Sequence, residues 1–323
     1  MSIGSRDKRL RTSRRVWLGG TLAATVTGAA GCRRGGGAPA EVEREWGRRG
    51  ISPGRLQRPR AVAIDAADRL YIVDMTGRVQ VFTVTGELIR YWRTPEIAHG
   101  KPVGLGIDRE GRVLVADTHY YRVLFYTPQG RRLAERTIGG KLGKGPGEFE
   151  FVTDAVQAPD GRYFVGEYGG NDRIQYFDAN GRFLGEWGGH GDRPGQFRRP
   201  QSLKWGPDGH LWIADACNHR LQIFDVSGAV PRLVRCWGRP GSVPGRLQFP
   251  YDMAFDPAGF VYVCEFGNQR VQKFRLDGTS IATWGTPGRR RGQLSRPWGM
   301  VRDSRGRLHV LDTYNHRVQT LLF

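Results

Sequence analysis

Apolar residues along this chain come in short runs separated by Gly, Asp and Pro, and residues 245–285 show the pattern most plainly. A Gly and an apolar residue lead to Pro250, and a first apolar run covers Met253 to Phe255. The turn Asp256 to Gly259 closes it, and a second run, Phe260 to Cys264, ends in Glu265. After Gly267-Asn268-Gln269-Arg270 a third run spans Val271 to Phe274. Asp277-Gly278 then turns the chain into a fourth, Ile281 to Trp284, which stops at Gly285. Short runs rich in β-branched and aromatic residues, bounded by Gly, Asp and Pro, predict a four-stranded antiparallel meander. One such sheet cannot bury both of its faces and needs neighbours.

The neighbours are further copies of the same unit. An Arg after each second strand marks the register at Arg78, Arg122, Arg173, Arg220, Arg270 and Arg317, with spacings of 44, 51, 47, 50 and 47 residues. The second strands align as LYIVD, VLVAD, YFVGE, LWIAD, VYVCE and LHVLD, and the third as RVQVF, RVLFY, RIQYF, RLQIF, RVQKF and RVQTL. A four-stranded unit repeated at this period predicts an all-β, six-bladed β-propeller over residues 42–323. The last copy reaches Phe323 in its third strand, and the missing Trp-Gly strand stands at the start as VEREWG, residues 42–47. Val42 to Trp46 is therefore expected to pair with the last blade and close the ring, which removes two open sheet edges.

Residues 1–41 follow another pattern. A basic stretch precedes a mildly apolar run, Val16 to Ala30, too short for a comfortable membrane span. Ser13-Arg14-Arg15-Val16-Trp17-Leu18 resembles a twin-arginine export signal, with Arg14 and Arg15 as the pair. Ala29-Ala30-Gly31-Cys32 resembles a lipoprotein processing box, which makes Cys32 the expected lipidation site, with Ala in the position where that box prefers Leu. Ala38-Pro39-Ala40 offers a rival cleavage site. The resulting division is a signal peptide over 1–31, a lipid-anchor Cys with a Gly-rich tether over 32–41, and the propeller.

Charge changes the picture moderately. The formal net charge is +19; residues 1–31 hold six basic residues against Asp7, so the chain from Cys32 carries about +14. A basic surface favours acidic partners such as anionic headgroups, acidic carbohydrate or nucleic acid. Cys217, Cys236 and Cys264 fall at non-equivalent places in their repeats, show no metal spacing, and are expected as buried free thiols.

The run Asp-x-x-Asn-x-Arg followed by an alternating strand is clearest at Asp215 to Gln222 and Asp312 to Gln319. With the leading Gly-x-[Phe/Leu]-x-x-Pro it resembles the NHL repeat, across essentially all of 42–323. Departures are local: blade 1 shortens the motif, blade 2 has Tyr120 for Asn, and blade 3 has Val152 for Pro and one extra residue before Arg173. The resemblance implies a propeller that binds protein, RNA or cell-wall material, or less often an enzyme, since fold alone does not fix function.

Candidate chemistry is sparse. Asp74, Asp117, Glu167, Asp215, Glu265 and Asp312 stand one per blade, a few residues before the marker Arg. They suit a repeated structural device, accepting turn amides and pairing with that Arg, better than catalysis. His219 and His316 lie inside the motif and His119 near it, on different blades, which argues against a shared zinc site. In the propeller lyase acting on peptidyl-hydroxyglycine, which resembles this repeat, zinc histidines directly follow the repeat Pro and face the channel. Here Arg60, Val103, Thr153, Gln201, Tyr251 and Trp298 stand there. Lactonase-like propellers hold a metal in a carboxylate and Asn cage in the channel; Asp154 and Asp252 come next along, without a convincing third ligand. No G-x-S-x-G elbow or P-loop occurs. No metal or cofactor is expected.

Arg60, Thr153, Gln201, Tyr251 and Trp298, with Tyr168, Phe266 and Tyr314 from the loops after second strands, form the candidate ligand-binding face at the channel mouth. Arg with clustered Tyr and Trp suits hot-spot contacts and stacking on sugars or bases. The expected function is a monomeric, lipid-anchored binding scaffold at the bacterial cell envelope, periplasmic or at the cell surface, for a protein or an acidic or carbohydrate envelope ligand. An extracytoplasmic hydrolase or lyase with a channel site is the alternative. RNA binding is a third reading, which export disfavours.

Overall fold

The computed structural model describes residues 41–323, so Arg14, Arg15, Cys32 and the expected leader lie outside the described residues. Six four-stranded antiparallel sheets form a six-bladed propeller. In blade 4, for example, the order from the inside is Pro200–Trp205, Leu211–Asp215, Arg220–Asp225 and Arg232–Trp237. The other inner strands are Ala61–Ile64, Gly104–Ile107, Phe151–Gln157, Pro250–Asp256 and Met300–Arg302. The ring closes as the repeat requires. Glu41–Trp46 pairs antiparallel with Arg317–Leu322 and is the outermost strand of the last blade.

Alternation along each strand sends apolar side chains into the spaces between blades. The described residues form six buried clusters, each shared by two adjacent blades. The cluster at the closure joins Leu56, Val62, Leu70, Ile72 and Phe82 of blade 1 to Val301, Leu311 and Val318 of blade 6. Trp46 packs on it, 5.0 Å from Phe82, and also covers the turn glycine Gly86 of blade 1. Trp92 and Trp237 lie in the same way over Gly130 and Gly278 of the blades that follow them. These glycines take φ values of 92–93°, and each tryptophan ring occupies the space where a Cβ would stand. The outer-strand Trp is thus a lid on its neighbour's turn.

A polar lock repeats beneath the top face. The buried carboxylates pair with their arginines at 3.2 Å (Asp74–Arg78), 2.9 Å (Asp117–Arg122), 2.6 Å (Glu167–Arg173), 2.7 Å (Asp215–Arg220), 2.5 Å (Glu265–Arg270) and 2.7 Å (Asp312–Arg317). In blade 4 the remaining Arg220 donors reach the carbonyls of Asp192, Arg193 and Gln196, and Asp215 accepts the Arg198 N–H at 2.8 Å. Gln222 donates to the Gln196 carbonyl and accepts the Gly195 N–H. The lock therefore ties each entering loop to the middle of its blade.

Blade 2 departs from this scheme. Leu124 replaces the Gln, Tyr120 replaces the Asn, and Arg122 turns in part to Glu96. Asp117 keeps one buried oxygen without a partner, and burial, against the pull of Arg122, pushes its carboxyl up to about 6.

The histidines of the motif serve the blade boundaries. His219 Nδ1 accepts the Phe249 N–H at 3.1 Å and His316 Nδ1 accepts the Arg58 N–H at 3.0 Å, each from the next blade round. Burial lowers the pKa of both, in keeping with neutral acceptors. Of the cysteines, Cys264 is buried as expected, whereas Cys217 and Cys236 are exposed. The correction has a simple cause: Cys217 lies in the top loop after a second strand, and Cys236 points outward from an outer strand.

Replacing Trp46 by Ala should cost about 2–4 kcal/mol, because it removes a partly buried aromatic ring from the closure. Urea unfolding would measure it; a loss under about 0.5 kcal/mol would show that the first strand does not hold the ring.

Candidate binding site at the channel mouth

Three inner strands carry a β-bulge directly after the repeat proline position. Register shifts occur between Val152 and Asp154, Pro200 and Ser202, and Pro250 and Asp252. A bulge leaves one residue out of the ladder and re-aims its neighbours. Gln201 and Tyr251 are two of these extra residues, and both line the mouth with Arg60 and Trp298. The third, Thr153, does not. Its hydroxyl donates to the Pro200 carbonyl at 2.5 Å between blades 3 and 4, and no part of the residue reaches the surface. Thr153 is therefore corrected from a mouth residue to an inter-blade tie. Val152 in place of the proline leaves the blade 3 bulge intact but not its exposure.

The other proposed residues meet in one aromatic and cationic rim. Tyr251 stacks on Phe266 at 4.5 Å and meets Trp298 edge-on at 5.0 Å. Arg60 lies over Trp298 at 5.1 Å. Tyr168 and Tyr314 join through arginines that the repeat reading missed. Arg199 lies 4.6 Å over Tyr168 and 5.4 Å over Tyr251, and Arg58 and Arg296 flank Tyr314 at 4.9 and 5.3 Å. Arg58, Arg199 and Arg296 share a sequence signal. Each stands immediately before a repeat proline, in the left-handed conformation at φ 48–60°.

These four arginines have no carboxylate within ion-pair distance among the described residues. Arg199 donates to Gln201 Oε1 at 2.8 Å. The half-buried Arg60 guanidinium has no hydrogen-bond acceptor there at all, although it stays charged at any physiological pH. Burial lowers its pKa; Tyr314 and Tyr168 oppose the effect, and Arg199 and Arg58 add to it. The rim is thus a cation-rich cradle with flat apolar walls.

Below the rim the channel changes character. Asp154 and Asp252 point inward and hold Lys204 between them, with Nζ 4.0 and 3.4 Å from their oxygens. Ser202 Oγ donates to Asp252 at 2.8 Å, Met300 N–H donates to Asp252 at 2.9 Å, and Leu203 N–H to Asp154 at 3.0 Å. Two carboxylates thereby stitch blades 3 to 6 together. Blades 2 and 3 come close through a small residue: a Cβ on Gly104 would stand 2.3 Å from the Thr153 carbonyl oxygen. Burial pushes the Asp154 carboxyl up to about 6 against the Lys204 charge. Burial also works against the Lys204 ammonium, but Asp252 and Asp154 outweigh it and leave its pKa raised. Past Lys204 the channel is lined mostly by apolar residues, Ile64, Ile107, Val156, Trp205 and Phe255 among them, with Arg302 as the charged exception.

The cage that the lactonase resemblance implies does not fit these residues. The channel lining contains the two carboxylates but no Asn, with an ammonium between the acids. Among the described residues no group of three or more His, Cys, Asp or Glu is arranged to hold a metal ion. Lys204 was not foreseen, although a signal was present. The same register in the other inner strands holds Ala63, Gly106, Val156, Ala254 and Val301.

Fold and channel together define a six-bladed propeller with a mouth built from inner-strand and top-loop residues. Residues 61–293 match the model of the SMP-30/Gluconolactonase/LRE-like region, and residues 294–321 match the NHL repeat. The chain belongs to this family of propellers. It is 38% identical over 131 residues to peptidyl-glycine alpha-amidating monooxygenase A of Xenopus laevis, covering 38% of this chain and 14% of that protein. The chain thus spans about one seventh of the length of that relative. Among solved structures, a gluconolactonase of Xanthomonas campestris superposes with a TM-score of 0.60 at 14% identity, over 84% of this chain and 87% of the other. An auxiliary nutrient binding protein of Bacteroides thetaiotaomicron gives 0.62 at 16% identity, over 82% and 69%. At these identities the likeness is one of fold.

The raised Asp154 pKa has a pH signature. Folding lifts this carboxyl from an ordinary 3.8 to about 6, so its contribution is present at low pH and is lost as pH rises through about 6. Asp154→Asn cannot ionise. Its stability relative to wild type should therefore rise by about 2–3 kcal/mol from pH 4 to pH 7. Denaturant titrations at both pH values would show it, and a constant difference between the two proteins would contradict it.

Proposed function

We propose that this chain is an exported, lipid-anchored propeller of the bacterial envelope that binds an acidic carbohydrate at its channel mouth. The observation that carries this reading is the Arg60 guanidinium. It is half-buried against Trp298, shares the rim with three further arginines, and meets no acid among the described residues. A guanidinium fork matches a carboxylate in two parallel hydrogen bonds, and a flat indole or phenol face matches the apolar face of a sugar ring. The basic balance of the chain adds long-range attraction for such a polyanion. Export and anchoring rest on Arg14-Arg15 and Cys32.

A second reading, an extracytoplasmic hydrolase or lyase, is favoured by family membership and by the inward-facing Asp154 with its raised pKa. Turnover of a lactone or uronate that is lost in Asp154→Asn would place it first.

Titration calorimetry with uronic-acid oligosaccharides tests the binding reading. Arg60→Ala and Trp298→Ala should each weaken binding at least about tenfold, or about 1.4 kcal/mol, while circular dichroism shows an intact fold. Raising the salt concentration should weaken the wild type further. Wild-type affinity in both variants, or a preference for neutral oligosaccharides or acidic peptides, would overturn it.

Localisation is tested separately with metabolic lipid labelling. Cys32→Ala should abolish the label, and Arg14→Lys with Arg15→Lys should abolish export. An unlabelled cytoplasmic wild type would remove the envelope from the reading and bring RNA forward as the polyanion.

A further inference from the structure

Asp154 and Asp252 are held in place for a cation whatever the ligand at the mouth is. Asp252 Oδ1 accepts from Ser202 Oγ at 2.8 Å and from its neighbour Met253 N–H at 2.9 Å, and its Oδ2 accepts from Met300 N–H at 2.9 Å. Asp154 Oδ1 accepts the Ala155 N–H and Oδ2 the Leu203 N–H, both at 3.0 Å. Backbone amides from blades 3, 4, 5 and 6 thus fix two acids that face one point of the channel. Two buried carboxylates directed at one point repel each other, and the repulsion is relieved by a proton on one of them or by a positive charge between them. The charge present there is the Lys204 ammonium, 3.4 Å from Asp252 and 4.0 Å from Asp154. At the equivalent register the other five inner strands carry small or apolar residues, so the lysine meets no competing side chain at that level.

We propose that Lys204 is a covalently tethered substitute for a channel metal, supplying the positive charge that Asp154 and Asp252 share and making the channel of this chain independent of divalent ions. A divalent ion takes oxygen or nitrogen ligands at about 2.0–2.6 Å. One bound between these acids would compete with the ammonium for the same oxygens and be repelled by it. Gln201, the amide in the lining of the mouth, commits its Oε1 to Arg199. The channel therefore provides two anionic ligands and one fixed cation, a closed set. Family membership and metal dependence are separable in this chain, because a single side chain occupies the place where the charge is needed. The proposal does not rest on the carbohydrate reading of the mouth.

The test swaps the tethered cation for a free one. Wild type, Lys204→Asn and Lys204→Asn/Asp252→Asn would be titrated with Ca²⁺ and with Zn²⁺, by calorimetry and by thermal unfolding after chelation. Wild type should bind neither ion in the channel and keep its unfolding midpoint in chelator. Lys204→Asn should unfold earlier in chelator and recover with added ion. It should bind one ion per chain at least about tenfold tighter than wild type. Asp252→Asn on that background should remove the response. One divalent ion bound by wild type and lost in Asp154→Asn would overturn the proposal. So would a Lys204→Asn protein that folds but ignores ions, one that stays unfolded at every ion concentration, or a double variant that keeps the response.

Discussion

Each blade depends on one buried carboxylate paired with one arginine four to six residues later, because that pair holds the loop by which the chain enters the blade. Desolvating two charges costs several kcal/mol per ion and is offset only where every remaining donor and acceptor is met. Arg220 and Asp215 meet that condition, with loop carbonyls and amides, Asn218 and Gln222 completing the set. Its consequence is geometric. A loop tied at its carbonyls delivers the proline and the residue after it to the channel at a fixed height, so the mouth is a by-product of the lock. In blade 2, where the lock is incomplete, the residue after the proline is Val103, and with Gly104 it lines the channel without a polar side chain.

Most of the fold could be read from the chain because its information is repeated. Six markers, six second strands and a Trp-Gly strand stranded at the start left one arrangement that paired every edge. The mouth was partly legible for the same reason. Arg60, Gln201, Tyr251 and Trp298 share a register after the proline position, and the structure brings all four together. Thr153 shares that register and fails, since its bulge turns the hydroxyl toward the next blade. Periodicity places a residue at a level in a blade; it does not say which way a bulge throws the side chain.

What stayed hidden is what acts between copies. Lys204, Arg58, Arg199 and Arg296 act across blades, and a reading within single copies cannot see pairs separated by a whole repeat. Lys204 and Asp154 are 50 residues apart in sequence and two strands of different sheets in space. The cysteines mislead for a related reason. Thiols tend to be buried as a type, but Cys217 and Cys236 stand at a loop and an outward-facing position, and local register overrides that tendency.

The two halves of the channel carry opposite electrostatic instructions. At the mouth, positive charge is abundant and unpaired, so an anion there gains attraction without displacing an internal partner. One layer deeper, positive and negative charge already face each other, and any ligand reaching that depth would have to break Lys204 away from Asp252 and Asp154. Beyond lies a mostly apolar stretch whose one further cation, Arg302, already faces Asp256 at 3.6 Å. The acidic ligand proposed above would therefore stay at the rim, where the aromatic faces are. A chain molecule would lie across the mouth instead of threading the ring. For the polymer proposed above, that geometry would favour an internal stretch over an end.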